Sequence, residues 1–229
     1  MDKKRIRPLL NGKEAIALYN APLPASSSRR TQWSWWTTMT ILILMGMGIC
    51  SCVTDRQNTS VPPVLAEQLP INAPLEPGLT AHYRYSFYRH IDVMPTDYNM
   101  VSKGTPGPPI LILDHRFEGN VFDSTRDKGV GVFLQGYLKL ETAGTYQFKA
   151  MSNDGIRVVV NSEMVVLDPT VHKDRFSKIG EVTVMEPGWY PLTVKYFQRK
   201  GTARLELHWQ TPGSNSFSIV PAAAYGHLK

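Results

Sequence analysis

The carboxylates and histidines of this 229-residue chain are the side chains that acid–base or metal chemistry would use. Asp114, Glu118, Asp123 and Asp127 lie close together in sequence, but their spacing does not indicate that two carboxylates converge on one bond. None of the six histidines has the His-x-x-x-His or cysteine spacing of a transition-metal site. The sequence also lacks Gly-x-Ser-x-Gly, His-Glu-x-x-His and phosphate-loop motifs. We therefore expect a protein that is not an enzyme.

Cysteine chemistry is confined to Cys50 and Cys52, which close an apolar stretch. An aliphatic residue three positions before Cys52 and the small Ser51 just before it resemble a bacterial lipobox. In such a motif the thiol receives diacylglycerol and the preceding peptide is removed, so Cys52 is a candidate lipidation site. Because no cysteine follows residue 52, the rest of the chain has no disulfide and must be held by its core.

The apolar stretch itself has the character of an export or membrane segment. Residues 31–54 carry no charged side chain, and three tryptophans precede the apolar block 39–50. A bilayer-spanning helix needs about 20 largely apolar residues, and tryptophan favours the membrane interface. Residues 33–52 are therefore predicted to be a transmembrane anchor or a (lipo)signal segment. A lipoprotein, an uncleaved anchor and a simple cleaved signal remain open alternatives.

The formal net charge of +6 is concentrated before this segment. Residues 1–32 contain seven basic and two acidic side chains, whereas the remainder contains 18 basic and 17 acidic ones. A positive N-terminal flank predicts that residues 1–32 lie in the cytoplasm and the C-terminal part outside it. Because the remainder is nearly neutral, it is a poor electrostatic partner for phosphate backbones, and we expect no nucleic-acid binding.

Two further regions follow the apolar segment. Residues 53–77 are rich in Pro, Asn, Gln and Ser and are predicted to be a Pro-rich linker. Residues 78–229 show period-two alternation and no convincing helical period, which predicts an all-β domain: an antiparallel β-barrel or jelly-roll-like sandwich, preceded by one N-terminal hydrophobic helix. The predicted strands are residues 110–117, 130–140, 145–150, 156–160, 181–184, 189–197 and 203–209.

In the last of these strands, side chains at alternate positions differ in polarity. Arg204, Glu206 and His208 are predicted to face water. The apolar side chains between them, Leu205 and Leu207, are predicted to face the core.

An ordered set of short motifs runs through the β region. The motifs are Gly136-Tyr137-Leu138, Gly144-Thr145-Tyr146-Gln147-Phe148, Ser152-Asn153-Asp154-Gly155-Ile156-Arg157-Val158, Gly188-Trp189-Tyr190-Pro191-Leu192 and Leu205-Glu206-Leu207-His208-Trp209. Their combination resembles the PA-fourteen (PA14) domain, named after anthrax protective antigen, over about residues 78–226. The resemblance implies a β-barrel or jelly-roll-like module of bacterial exported enzymes, adhesins and toxins, in which many members bind carbohydrate.

The resemblance also implies a metal site. In the family's sugar-binding adhesins, two adjacent aspartates joined by a cis peptide hold a calcium ion that ligates sugar hydroxyls, and the matching pair here is Asn153-Asp154. Calcium accepts amide oxygens as well as carboxylates, but each lost negative charge weakens binding. The alternative is a tight turn, in which these side chains bond their own backbone and Gly155 takes a positive φ.

Four more residues are candidates for ligand binding. Asp168, His172 and Asp174 follow the apolar residues 165–167 and would add oxygen or nitrogen ligands near the same end of the domain, unless they form a solvated loop. Trp189 is a candidate for stacking on a sugar ring if its side chain points out of the sheet. Its alternative is to pack beneath a loop.

The expected function is that of a binding module anchored to a bacterial cell envelope. Its β domain would lie on the periplasmic or cell-surface side and bind a glycan, with calcium as the candidate cofactor. The alternative is a structural or assembly module that packs against another envelope protein and binds no sugar.

Overall fold

The computed structural model describes residues 67–116 and 119–229. The basic N-terminal segment, the predicted anchor with Cys52 and the predicted linker up to residue 66 lie outside the described residues. Within the described part, no helix is both long enough and apolar enough to cross a bilayer.

The described chain is built mainly from short strands. They are β1 (Leu69–Pro70), β2 (Glu76–Pro77), β3 (Leu79–Tyr85), β4 (Thr105–Ile110), β5 (Asp114–His115), β6 (Val130–Leu140), β7 (Gly144–Asn153), β8 (Ile156–Val160), β9 (Glu163–Asp168), β10 (Arg175–Phe176), β11 (Gly180–Val184), β12 (Gly188–Gln198), β13 (Arg204–Gln210), β14 (Ser218–Ile219) and β15 (Tyr225–His227). One α-helix, α1 (Asp97–Lys103), and two 3₁₀ turns, Ile91–Val93 and Ala222–Ala224, complete the described elements.

The strands form two antiparallel sheets that pack as a sandwich, so the sandwich prediction is confirmed and a closed barrel is not formed. The larger sheet has the order β2-β15-β6-β12-β8-β9, with β1 beside β12 and with β3 joining β4 to β6. The smaller sheet has the order β10-β7-β13-β14, with β11 beside β7 and β5 beside β13. In the larger sheet, β6 pairs with β12 along the full length of both strands, from Val130 opposite Gln198 to Leu140 opposite Gly188.

The core lies between the sheets because alternate residues of each strand are apolar. In β7, Tyr146, Phe148 and Ala150 are buried, while the residues between them are partly exposed. Leu205 and Leu207 of β13 enter the same core, as the period-two pattern predicts. Removal of this apolar surface from water is the main contribution that stabilises a domain of this size without disulfides.

A second apolar cluster covers the outer face of the larger sheet. Phe133 of β6 and Phe197 of β12 point away from the main core and pack against Ile91, Met94 and Met100. The covering segment includes α1, which the strand pattern of the sequence did not predict. The helix is only seven residues long, and Thr96 caps it by accepting a hydrogen bond from the Asn99 amide at 3.3 Å. Met100 is the one fully buried residue of this helix, and a helix so short shows no readable period.

Two predicted boundaries differ from the structure. The strand predicted at 110–117 is divided between β4 and β5, which the exposed Leu111 and Ile112 separate. The Pro-rich β4 pairs with β3 alone, which places it at an edge where prolines need not donate hydrogen bonds. Residues of β1 and β2, which the composition assigns to the linker, also pair with strands of the larger sheet.

Candidate functional site

The site predicted from the family resemblance lies at one corner of the sandwich, where β7 turns into β8. Register places Asn153, the last residue of β7, opposite Arg204, the first residue of β13. The Asp154 amide donates to the Phe197 carbonyl at 3.2 Å, and the Phe197 amide donates to the Gly155 carbonyl at 3.0 Å. The peptide bond between Asn153 and Asp154 is cis. We call this region, with the loop 169–174 that packs on it, the Asn153–Asp154 corner.

Asp154 is a buried carboxylate held by backbone amides. Only 2% of the residue is exposed. Its Oδ1 accepts a hydrogen bond from the His172 amide at 3.1 Å, and its Oδ2 accepts one from the Arg199 amide at 2.8 Å. Burial raises the pKa of Asp154, although these amide hydrogen bonds oppose the shift. The carboxylate therefore joins three chain segments: the β7–β8 turn, the loop 169–174 and the end of β12.

Asn153 and Asp174 belong to a second arrangement at the same corner. Asn153 Nδ2 donates to Asp174 Oδ1 at 2.9 Å, and Arg204 Nη1 donates to Asp174 Oδ2 at 2.9 Å. Partial burial tends to raise the pKa of Asp174, but the hydrogen bonds from Arg204 and Asn153 outweigh it and lower that pKa. Both oxygens of the Asp174 carboxylate thus face donors from neighbouring side chains.

Asp168 and His172 form the third part of the corner. Asp168, which is 8% exposed, accepts two hydrogen bonds from Arg175: from Nε at 2.7 Å and from Nη2 at 2.5 Å. This paired geometry raises the pKa of Arg175, chiefly through the Asp168 hydrogen bonds. His172 Nδ1 lies 2.8 Å from the Lys173 carbonyl oxygen, which can only accept, so Nδ1 carries the proton. His172 Nε2 lies 3.3 Å from Asp168 Oδ2 but makes no hydrogen bond.

The structure therefore brings five predicted residues together, namely Asn153, Asp154, Asp168, His172 and Asp174, and it places Trp189 elsewhere. Trp189 lies opposite Lys139 and Leu69 near the start of β12. It is seven residues before Tyr196, whose hydroxyl donates to the Asn153 carbonyl oxygen at the corner. At about 3.3 Å per residue, that separation is roughly 23 Å along the strand. The indole is 9% exposed and donates from Nε1 to the Ile71 carbonyl at 3.1 Å. Trp189 is thus covered by the segment that carries β1.

The tight-turn alternative is wrong in its details. Asp154 bonds amides of distant segments and not its own backbone. Gly155 does not lie in the left-handed region of φ. Glycine is required there for space, because a Cβ atom would lie 2.4 Å from Phe197 Cε1 and 2.9 Å from the Pro169 carbonyl oxygen.

Sequence reasoning placed Glu206 on the water-facing side of β13, and the structure corrects this. Glu206 is on the outer face of the smaller sheet but is only 3% exposed. Its Oε1 accepts from Arg204 Nε at 2.6 Å and lies 3.3 Å from Arg116 Nε, while His208 Nε2 lies 3.1 Å from Oε2. These three side chains shield the carboxylate from water, an arrangement that strand parity alone does not reveal.

A groove adjoins the corner and was not predicted from the sequence. It has a volume of about 620 Å³ and runs between β9, at the edge of the larger sheet, and the segment carrying β10 and β11. Asp168 and Arg175 line it, so the groove and the corner share an ion pair. Its apolar lining includes Phe176, which is 45% exposed. The other exposed apolar side chains of the lining are Met164, Leu167 and Ile179.

Phe176 was not predicted as a site residue, because its strand, β10, is only two residues long and shows no sequence pattern. Phe176 lies opposite Met151 of β7, and Lys149 Nζ lies 4.3 Å from its ring centroid. The His208 ring meets the Phe176 ring edge-on, with centroids 5.3 Å apart. These contacts orient the ring on the outer face of the smaller sheet. Among the described residues, no group of three or more His, Cys, Asp or Glu side chains is arranged to hold a metal ion.

Fold and site together define an antiparallel β-sandwich domain with a charged corner beside an apolar groove. The model of the PA14 domain matches residues 123–222 of this chain. The resemblance found in the sequence motifs is thereby confirmed for these residues. A search of curated proteins by sequence finds no match.

Solved structures of low sequence identity share the fold. The PA14 domain of the MpAFP antifreeze protein is 20% identical, with a TM-score of 0.55, over 68% of this chain and 93% of that one. The PA14 sugar-binding domain from an RTX adhesin is 19% identical, with a TM-score of 0.52, over 66% of this chain and 99% of that one. The Epithelial Adhesin 6 A domain from Candida glabrata, in complex with Galb1-3GlcNAc, is 12% identical, with a TM-score of 0.53, over 71% of this chain and 92% of that one.

Proposed function

We propose that the β domain is a carbohydrate-binding module and not an enzyme. The observation that carries the proposal is the groove, whose lining includes the exposed Phe176 and a fixed carboxylate–guanidinium pair. The names of two similar structures support it, since one is a sugar-binding domain of an adhesin and another is an adhesin domain in complex with a disaccharide.

The chemistry of the groove suits a sugar ring. A pyranose has an apolar face of C–H groups, which would pack on Phe176, and a rim of hydroxyls that both donate and accept hydrogen bonds. Arg175 is half exposed, so its remaining N–H groups would donate to hydroxyl oxygens. Asp168 uses one lone pair of each oxygen for Arg175 and retains others to accept from hydroxyls. The ion pair also fixes both groups before the ligand arrives, which lowers the entropic cost of binding.

Glycan binding is tested with the purified full chain in detergent on a glycan array that includes Galb1-3GlcNAc and lactose, followed by calorimetric titration of any ligand found. Phe176→Ala should weaken the affinity about tenfold or more, a loss of about 1.4 kcal/mol, because the stacking surface is removed. The matched control is Phe217→Ala. The Phe217 ring centroid also lies 4.3 Å from Lys149 Nζ, but Phe217 does not line the groove. A folded wild-type protein that binds nothing above background overturns the proposal.

For localisation, we propose attachment to a bacterial envelope membrane through residues 33–52, with the β domain on the extracytoplasmic side. The charge asymmetry of residues 1–32 supports this orientation. Mass spectrometry of the mature N-terminus distinguishes a lipidated Cys52 from an intact Met1. Protease added to intact spheroplasts should remove the β domain, and full protection of the domain would contradict the orientation.

A second candidate function is contact with another envelope protein, and the apolar side chains of the groove favour it. Met164 and Ile179 are more than half exposed. Crosslinking in intact cells, compared between the wild type and Ile179→Glu, separates the two functions. A crosslinked partner that is lost in Ile179→Glu, together with an empty glycan array, would replace the sugar proposal with this one.

A further inference from the structure

The calcium ion implied by the family resemblance requires a set of oxygen ligands, and the corner does not supply it. Calcium takes six to eight oxygens, several of them from carboxylates. Both oxygens of Asp154 face backbone amides, and Asn153 directs the donor end of its amide, Nδ2, at Asp174. The second oxygen of Asp174 faces the Arg204 guanidinium. Donor groups thus already surround each carboxylate, and the residues do not fit calcium.

We infer that Arg204, together with the side-chain amide of Asn153, takes the place of a divalent cation at this corner. The corner therefore neither binds nor needs calcium. Arg204 is well placed for the role. It lies opposite Asn153 in the β7–β13 register, and its two ends bind different carboxylates: Nη1 binds Asp174, and Nε binds the buried Glu206. Glu206 holds the guanidinium from the sheet side, so the positive charge is fixed beside Asp174.

The identity of residue 153 is coupled to this arrangement. An aspartate at this position would set a second carboxylate against Asp174, and the two like charges would require a bound cation between them. Asparagine replaces that repulsion with a hydrogen bond of 2.9 Å. The lowered pKa of Asp174 and the raised pKa of Arg204 agree with a strong pair, since the Asp174 hydrogen bond is the main cause of the shift at Arg204.

Two substitutions should therefore convert the corner into a calcium site. Asn153→Asp adds a carboxylate, and Arg204→Gln removes the competing cation and frees Asp174 Oδ2. The double variant would then offer the carboxylates of residues 153 and 174, beside the Asp154 carboxylate that keeps its two backbone amides. We expect it to bind calcium with a Kd of about 1 mM or tighter, the range of extracellular calcium modules. The wild type should show no saturable binding in the same range.

The experiment is a calcium titration of the full chain in detergent, followed by calorimetry and by thermal unfolding in calcium and in EDTA. The wild-type Tm should be the same in both buffers. The Tm of the double variant should rise by about 5 °C when calcium exceeds its Kd roughly a hundredfold. The control is Arg116→Gln, which removes a guanidinium from the same Glu206 carboxylate, and Arg116 does not contact Asp174. It should not respond to calcium.

Either of two results overturns the inference: saturable calcium binding by the wild type that Asp154→Asn abolishes, or a folded double variant that binds no calcium. If the double variant does not fold, the single variant Arg204→Gln decides. Calcium should then partly restore the Tm that this substitution lowers, and an unchanged Tm would contradict the inference. None of these measurements uses a glycan, so the result is independent of the proposed sugar binding.

Discussion

The outer faces of the two sheets of this domain differ in whether another segment of the chain covers them. On the larger sheet, Phe133 and Phe197 are buried beneath the segment that carries α1. Lys195 on this sheet is only 6% exposed, and its Nζ lies 2.6 Å from Asp97 Oδ1 of the covering helix. On the smaller sheet, the outer face carries the Glu206 ion-pair network and the exposed ring of Phe176. One face has become a second core, whereas the other presents fixed charges and an aromatic surface to solvent.

The two faces therefore contribute differently, one to stability and the other to the proposed binding. Apolar side chains stabilise a sheet face when another segment covers them, but a covered face offers nothing to a ligand. A face of paired charges contributes less to stability, because the arginines of its ion pairs stay partly exposed and ion pairs with solvated partners are individually weak. Such a face remains accessible, with its polar groups already oriented. The Asn153–Asp154 corner joins the two faces, since Asp154 binds amides at the end of β12 and in the loop that leads to β10.

The largest expected effect is on the covered face. Phe133→Ala should lower the free energy of unfolding by about 3–5 kcal/mol, because it removes a fully buried ring and leaves a cavity. Phe176→Ala, on the open face, should change it by less than about 1 kcal/mol. Urea denaturation followed by tryptophan fluorescence measures both. Equal losses in the two variants would remove the distinction between the faces.

A smaller loss is expected at the junction. Asp154→Asn keeps the shape of the side chain but replaces one acceptor oxygen with a donor, so either the His172 or the Arg199 amide loses its partner. An unpaired buried amide costs about 1–3 kcal/mol. Faster hydrogen exchange at these two amides, measured by NMR together with the unfolding free energy, would locate the loss. An unchanged exchange rate at both amides would show that the carboxylate does not join the segments.

A still smaller loss is expected on the open face. Glu206→Gln removes the charge that Arg204, Arg116 and His208 share, but the two arginines are 30% and 44% exposed and can be solvated instead. We expect a loss of about 1 kcal/mol in the unfolding free energy, and less at high salt. Glu181→Gln, an exposed carboxylate of β11, is the control and should have no measurable effect. A loss as large as that of Phe133→Ala would mean that the network is a true core element.

The smallest effect is the pH dependence of stability, in which two aspartates act in opposite directions. The pKa of Asp174 is lowered on folding, so its contribution is present above the pKa of an unfolded aspartate and is lost as the pH falls through the lower folded value. The pKa of Asp154 is raised, so its carboxylate costs stability that returns as the pH falls through the raised value. NMR titration of the carboxyl carbons should give Asp154 the higher pKa of the two. The reverse order would contradict the described hydrogen bonds.

Strand parity predicted much of the fold, and the reasons for its failures are physical. β6 and β8 were predicted to the residue, because both faces of β6 and one face of β8 are apolar. α1 and the edge strand β4 were missed, since a seven-residue helix shows no period and prolines are tolerated at an edge. At the site, the family resemblance predicted Asn153 and Asp154, and the structure places both at the corner. Phe176 and the role of Arg204 were not found, because their partners are distant in sequence. Arg175 was also not found, although its partner Asp168 is only seven residues away.

The order of residues alone sets the period-two alternation, hence the antiparallel sheets, and carries the motifs within residues 123–222, which the PA14 domain model matches. It also determined the asymmetric charge of residues 1–32. Which charges meet depends on how the strands pair. Arg204 and Asp174 are thirty residues apart in sequence yet 2.9 Å apart in space, and the β7–β13 register sets Arg204 beside Asn153. Hydrogen bonds and ion pairs act over a few ångströms, so the chemistry of the corner exists only once the strands are paired.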